Sequence, residues 1–303
     1  MNSSKTQGYL ELLVASFLFA LFPIFTRNLS TEVGPILLSL IRAFFMVIIL
    51  GFVVFFRKRL EKVEKSDIKI FLFRGSIIVC NLIFFIKAVV VLPVGVTLFI
   101  FFCSSLITSY LVGYFFFNEK ITAKKVLAIG MAFIGMVMVY GDNVKLYELT
   151  PMLFAFVSGG FYGISATTSK LVNTKYPTLQ INLIEYAIAF VATIPLILLS
   201  QETIRLDLSF SAYLNFILYA ATTIGALVTL IHGFKYIEAQ VGGIILLSEI
   251  PFGLLVGYLW YGETLTLFTI FGGILILAAS IVPNLNLRRH LEFVSGVKKY
   301  EKS

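Results

Sequence analysis

Residues Leu246–Thr266 read LLSEIPFGLLVGYLWYGETLT. The stretch is almost wholly apolar, yet it holds one carboxylate, Glu249, two residues before Pro251. Its second part, LVGYLWYGETLT at Leu255–Thr266, has a near twin in LVGYFFFNEKIT at Leu111–Thr122. Leu, Val, Gly, Tyr, Glu and Thr recur in the same order at a constant offset of 144 residues. An offset close to half of the 303-residue chain points to an internal duplication. A duplicated, very hydrophobic chain with one charge deep in an apolar run reads as a membrane transporter.

Composition agrees. Hydrophobic residues make up 59% and charged residues only 13%, against about 25% charged in a soluble domain; mean hydropathy is +0.96. The net charge of +8 does not indicate nucleic acid, because the basic residues lie in short loops between apolar runs, the pattern of topology signals. Cys80 and Cys103 lie inside apolar runs and suit neither a disulfide framework nor a four-ligand metal site. A cleaved signal peptide is not expected, nor is a cofactor.

Ten spans are expected, at 9–28, 35–56, 71–90, 93–117, 124–141, 151–172, 179–199, 212–234, 239–261 and 265–285. A crossing needs about 20 apolar residues, and in lipid the backbone must satisfy itself, so these runs are helices. With the N-terminus inside, nineteen Lys and Arg fall on the cytoplasmic side, Arg74 among them, and four (Arg27, Lys87, Lys145 and Arg205) outside, with Arg42 within a span. That asymmetry predicts both termini in the cytoplasm. Lys-, Ile- and Phe-rich composition suits a bacterial cytoplasmic (inner) membrane.

The duplication extends along the chain. Arg27 aligns with Lys170, and Leu40-Ile41-Arg42 with Leu183-Ile184-Glu185, at offset 143; Lys87 aligns with Lys235, and Gly95 with Gly243, at offset 148. The change from 148 to 144 predicts about one extra helical turn in the fourth span relative to the ninth. The repeats run over 9–141 and 151–285, followed by a basic cytoplasmic tail at 286–303. Five spans each is odd, so the second copy is inverted in the bilayer, an arrangement that suits alternating access. Small residues four apart, Ser109 and Gly113, Gly253 and Gly257, Gly159 and Gly163, predict close helix contacts.

Glu119-Lys120-Ile121-Thr122 and Glu263-Thr264-Leu265-Thr266 close the fourth and ninth spans with an E-[KT]-[IL]-T signature. With the two five-helix repeats and short loops, this resembles the drug/metabolite transporter superfamily, EamA type. Leu247-Ser248-Glu249-Ile250-Pro251 resembles the family's L-x-E-P element with Ile250 inserted, and Leu40-Ile41-Arg42 its second-helix arginine. The resemblance covers residues 9–285 and implies an all-α membrane protein of ten transmembrane helices in two inverted five-helix repeats. It implies a carrier for a small-molecule substrate, such as an amino acid or a nucleotide-linked solute, embedded in the lipid bilayer.

Several residues are candidates for substrate or proton binding. Glu249 lies about ten residues into a run of about 23, near the midplane, where a bare carboxylate costs about 3 kcal/mol and is expected to be partnered or protonated. It either meets substrate or a coupled proton, or makes a structural hydrogen bond. Arg42 either binds substrate, or it snorkels or ties helices together. Glu185, its counterpart of opposite sign, is expected to reach interfacial water or to pair with Lys170 or Lys175. Asn81 and Thr229, aligned at offset 148, suit a shared cavity lining or helix-to-helix hydrogen bonds. His232 is a candidate proton relay. Phe19 and Tyr162, aligned at offset 143, suit stacking on an aromatic or cationic substrate or core packing.

The alternative is a membrane protein that does not transport: an intramembrane enzyme, a receptor or a structural protein. An enzyme lacks its parts here. Val139-Tyr140-Gly141-Asp142 approaches a GxGD protease element but has Val139 in place of the first glycine. No His-Glu-x-x-His and no Gly-rich phosphate loop occurs. A channel is disfavoured by the inverted halves. The topology has a direct test. In a background lacking Cys80 and Cys103, single cysteines at Glu32, Lys145 and Gly262 should react with an impermeant thiol reagent from outside, and cysteines at Lys62, Lys124 and Lys175 should not. Reversal at any two loops would end the ten-span topology with both termini inside.

Overall fold

The computed structural model describes residues 3–57, 60–89, 91–141, 148–172, 174–204 and 207–284. The basic tail expected at 286–303, and the loop positions Lys145 and Arg205, lie outside these residues. The described chain is all helical: α1 (Ser3–Ala20), α2 (Phe22–Leu29), α3 (Pro35–Arg57), α4 (Ile68–Val89), α5 (Val94–Phe117), α6 (Ala123–Tyr140), α7 (Leu149–Thr168), α8 (Thr178–Ser200), α9 (Phe210–Gly233), α10 (Ala239–Leu246), α11 (Glu249–Tyr261) and α12 (Leu267–Ile281). Nine stretches, counting α1–α2 and α10–α11 as one each, are long and apolar enough to cross a bilayer. The tenth, α12, has 15 residues and continues as a 3-10 turn at Val282–Asn284, so the span expected at 265–285 is shorter than its apolar run.

The duplicated segment has one local logic in both copies. Asn118 (φ 52°) and Gly262 (φ 64°) end α5 and α11 in the left-handed conformation, which terminates a helix at low cost for these residue types. Four residues later the Thr122 and Thr266 hydroxyls accept from the amides of Lys125 and Thr269 and cap the next helix. The signature is thus a stop, a glutamate and a start. The extra turn expected in the fourth span is absent: α5 has 24 residues and the ninth span 23.

Loop hydrogen bonds sort the chain into two ends, called proximal (carrying the start of α1) and distal. At the distal end Glu202 accepts from the amides of Ile36 and Leu37, and Asn28 Nδ2 donates to Asn215. At the proximal end Lys175 Nζ donates to Asp67 and Gln180 bonds the backbone of Glu61. The main packing runs between the halves of the chain: α5 along α7, α6 along α12, α4 along α7, α1 along α9 and α3 along α8. These pairs obey the internal repeat, since exchanging equivalent spans maps α4–α7 onto α9–α1 and α3–α8 onto itself.

The small-residue reading holds in α7 and fails in α11. A Cβ at Gly159 would strike the backbone of Phe101, and one at Gly163 would stand 2.6 Å from the carbonyl oxygen of Ser105; these glycines let α5 and α7 touch. Gly253 has no heavy atom of the kind within 4 Å, and Gly257 meets only Glu263 of its own turn. No neighbouring helix lies where a Cβ on either glycine would stand. Gly159→Ala should lower the unfolding temperature of the purified protein, since overpacking costs about 1–3 kcal/mol. Gly253→Ala should leave it unchanged or raise it, because Ala is favoured over Gly within a helix by about 0.5–1 kcal/mol. Equal effects of the two substitutions in a thermal melt would refute this account.

Candidate functional site

A cavity of about 520 Å³ lies between α1, α2, α3, α4, α5, α7, α8, α9 and α11. It reaches the distal surface beside Ser30, Gly34 and Pro35 and extends inward to Arg74, Ser165 and Glu185. Beyond that floor the proximal half is filled by a core that includes Phe71, Tyr176, Ile181, Phe234 and Ile245. The cavity is thus reached from one end and shut at the other.

Two interruptions of the spans shape it. The first span breaks at Leu21, where Pro23 enters the first turn of α2. The ninth breaks at Leu247-Ser248, whose amides bond back to the carbonyls of Ile244 and Ile245. The helix stops before Glu249 and restarts with it. Pro251 takes the third position of α11, where a missing N–H costs nothing. Glu249 therefore opens a helix, and its negative charge is favoured by that end of the helix dipole.

Five of the seven expected site residues line this cavity: Glu249, Arg42, Glu185, Asn81 and Tyr162. No Lys or Arg pairs with Glu249 among the described residues. The Tyr162 phenol faces its carboxyl, but the hydroxyl makes no well-formed hydrogen bond among the described residues. Arg42 Nη1 donates to the Tyr219 hydroxyl at 3.0 Å, its guanidinium lies 5.0 Å from the centre of the same ring, and its buried Nε has no partner among the described residues. Arg42 neither snorkels nor meets a carboxylate among the described residues. Asn81 Nδ2 donates to the Ser158 carbonyl at 2.9 Å, joining α4 to α7. Phe19 meets Tyr162 edge-on, with ring centroids 6.4 Å apart, so the aligned aromatics form one patch of the cavity wall. Tyr186, Tyr219 and Phe101 extend that wall.

Two expected residues lie elsewhere. Thr229 turns its hydroxyl onto the carbonyls of Gly225 and Ala226 in its own helix. His232 sits at the proximal end of α9 with Nδ1 2.7 Å from Glu11 Oε1. Both are absent from the cavity lining. Their repeat-aligned or near-terminal positions gave no information on which way each side chain faces.

Glu185 is partnered, but by a residue other than those expected. Arg74 Nε and Nη2 reach its two carboxylate oxygens at 2.5 and 3.2 Å, while Nη1 donates to the Ser165 carbonyl and to Thr168 Oγ1. Arg74 and Glu185 are 2% and 3% exposed. The charge count put Arg74, at the edge of the span expected at 71–90, with the cytoplasmic charges; α4 begins at Ile68 and carries Arg74 deeper into the bundle. Lys170 instead pairs with Glu119, and Lys175 with Asp67. The Tyr176 hydroxyl, 2.7 Å away, and Lys175 hold the Asp67 carboxyl below the usual carboxylate range. These contacts fasten the proximal end under the cavity floor.

A bundle that turns Phe52, Phe55, Leu198 and Leu199 outward and keeps charges in a half-open internal cavity defines a multi-pass membrane protein of the transporter class. The model of the EamA-like transporter family matches residues 6–141 and 149–285, and the chain belongs to that family. An uncharacterized transporter of Archaeoglobus fulgidus is 30% identical over 167 residues, which cover 54% of this chain and 58% of that protein. A solved crystal structure superimposes with a TM-score of 0.80 over 94% of this chain and 99% of the other, at 16% identity, and so shares the fold.

The floor ion pair has a measurable signature. Removing one partner of a buried pair leaves an uncompensated charge and costs about 3–5 kcal/mol, whereas replacing both with apolar residues is often tolerated. Arg74→Met and Glu185→Leu should each lower the melting temperature in detergent markedly, and the double variant should melt higher than either. A double variant that melts below both singles would contradict this.

Proposed function

We propose that the protein is a secondary carrier that moves a small zwitterionic metabolite, of the amino acid class, across the cytoplasmic membrane by alternating access. One observation carries this reading. Within a single aromatic-walled cavity, Glu249 and Arg42 present opposite charges that no oppositely charged side chain among the described residues neutralises. An ammonium on Glu249 and a carboxylate on Arg42 would satisfy both, with the apolar part of the solute against Phe19, Tyr162 and Phe101. A nucleotide-linked solute is favoured less, because its phosphates call for several cations. Arg42 stands alone, as Arg74 is already engaged by Glu185.

The cavity volume falls within the range of about 300–1,000 Å³ common to small-molecule sites. In the orientation favoured by the basic residues, the distal mouth faces outward, and the arrangement corresponds to an outward-open state. The inverted repeat supports an inward-open state made by exchanging the roles of the halves. Glu249 is also the candidate for a coupled proton, since a carboxyl at a water-accessible cavity with no cationic partner can exchange one with bulk water.

Proteoliposomes given a panel of labelled amino acids on the outside test both parts. Glu249→Gln keeps shape and hydrogen bonding while removing titration. Net uptake driven by a pH gradient should fall at least tenfold, whereas Arg42→Gln should weaken uptake of the whole panel irrespective of the gradient. Wild-type rates and an unchanged pH profile in Glu249→Gln would make Glu249 structural.

A further inference from the structure

The two copies of the glutamate-bearing segment are engaged differently at the two ends of the molecule. At the proximal end Glu119 accepts from the amides of Ala239 and Gln240, at 2.6 and 2.9 Å. These are the first two residues of α10. Lys170 Nζ lies 3.2 Å from the same carboxylate and also donates to the Ile237 carbonyl at 2.9 Å. Glu119 is 8% exposed. A carboxylate in this position satisfies orphan amides and lies at the positive end of the helix dipole.

At the distal end the equivalent residues, Glu263 and Arg27, also pair, at 3.1 Å, but with side chains 53% and 58% exposed. An ion pair that open to solvent contributes little. The helix end equivalent to the start of α10 is the start of α5, at Val94 and Gly95. Its N-cap residue is Pro93, which has no side-chain donor or acceptor, no side chain among the described residues bonds the amides of Val94 or Gly95, and Val94 is exposed. Glu263 is nevertheless built into the same seat as Glu119. Its amide bonds the Gly257 carbonyl at 3.2 Å, as that of Glu119 bonds Gly113 at 2.9 Å. Each carboxylate lies over its glycine, where a Cβ would stand 2.5 Å (Gly257) or 2.7 Å (Gly113) from Oε2. Any larger residue would push the glutamate aside. The same lever is docked at one end and undocked at the other.

We propose that Glu263 is a latch for the distal mouth: when that mouth closes, its carboxylate docks on the amides of Val94 and Gly95 at the start of α5, Arg27 moves with it towards the Leu92 carbonyl, and Glu119 releases α10. The proposal rests on the alternating-access reading. It explains why a glycine, a glutamate and a basic residue recur in both repeats although only the proximal set holds a helix end. It also gives Gly257 a use, since only Glu263 lies within 4 Å of where its Cβ would stand.

Spin-label distances in lipid nanodiscs test it. In a background lacking Cys80 and Cys103, one label pair at Val91 and Trp260 reports the distal end, and the equivalent pair at Lys235 and Phe116 the proximal end. All four positions are exposed. Wild-type protein should show a short and a long distance at each end, with reciprocal populations. Glu263→Ala should deplete the distal-closed population about tenfold, in keeping with the loss of a charged helix cap. Glu119→Ala should enrich it by a similar factor, and Glu119→Gln serves if the alanine variant does not fold. Glu263→Gln, which keeps an acceptor for the amides but loses the ion pair, should fall between wild type and alanine. An unchanged distal-closed population in Glu263→Ala, with the expected shift in the Glu119 variant, would overturn the latch while leaving alternation intact. A single distance at both ends of the wild type would overturn the alternating-access reading and the latch with it.

Discussion

Hydrocarbon gives a backbone amide nothing to bond, so any interruption of a span must be covered by protein or turned toward a watered space. That constraint places the breaks at Leu21 and at Leu247-Ser248. Both adjoin the cavity, through Phe22 and Glu249, and the second is tightened by bonds to carbonyls three residues back. The same rule governs side chains. Arg74 and Glu185 enter the bundle only as a pair whose remaining donors find Ser165 and Thr168, while Arg42 and Glu249 are tolerated because they border the cavity.

Much of the architecture was legible in the sequence because lipid imposes a coarse, long-range signal. Runs of about 20 apolar residues read as helices, and a repeat at near half-length reads as an inverted pair. Glu249, Arg42, Asn81 and Tyr162 could be placed at the cavity because a polar or aligned aromatic group in a span has few acceptable surroundings. What failed was direction and partnership. The helical face of Thr229, the outward position of His232 and the pairing of Glu185 with a residue 111 positions away depend on how helices are rotated against one another, and hydropathy does not record rotation. Arg74 was misread for a related reason: charge counting treats a basic residue near a span edge as a loop residue, and one turn of helix decides the matter. Gly257 shows the same limit from the other side, since a small residue at the right spacing served a neighbouring glutamate and not a neighbouring helix.

The two halves are similar in sequence and unequal in use. Glu119 is buried on a helix end while Glu263 stands in solvent, and Asn118 and Gly262 shape the same turn before each. An internal repeat lets one structure display two environments for the same element, one of which serves as a template for reading the other.

The repeats are not folding units, because nearly all the extensive helix packing joins one half to the other. The partner of α5 is α7, that of α3 is α8 and that of α6 is α12. During synthesis the first five spans would enter the bilayer well before their partners exist. Until then the close-packing surface of α5 around Phe101 and Ser105, and the buried guanidinium of Arg74, must be held by lipid, water or the insertion machinery. The rate of assembly is accordingly governed by contacts far apart in the chain, and the duplication that simplifies the final architecture makes the biogenesis of the first repeat wait on the second.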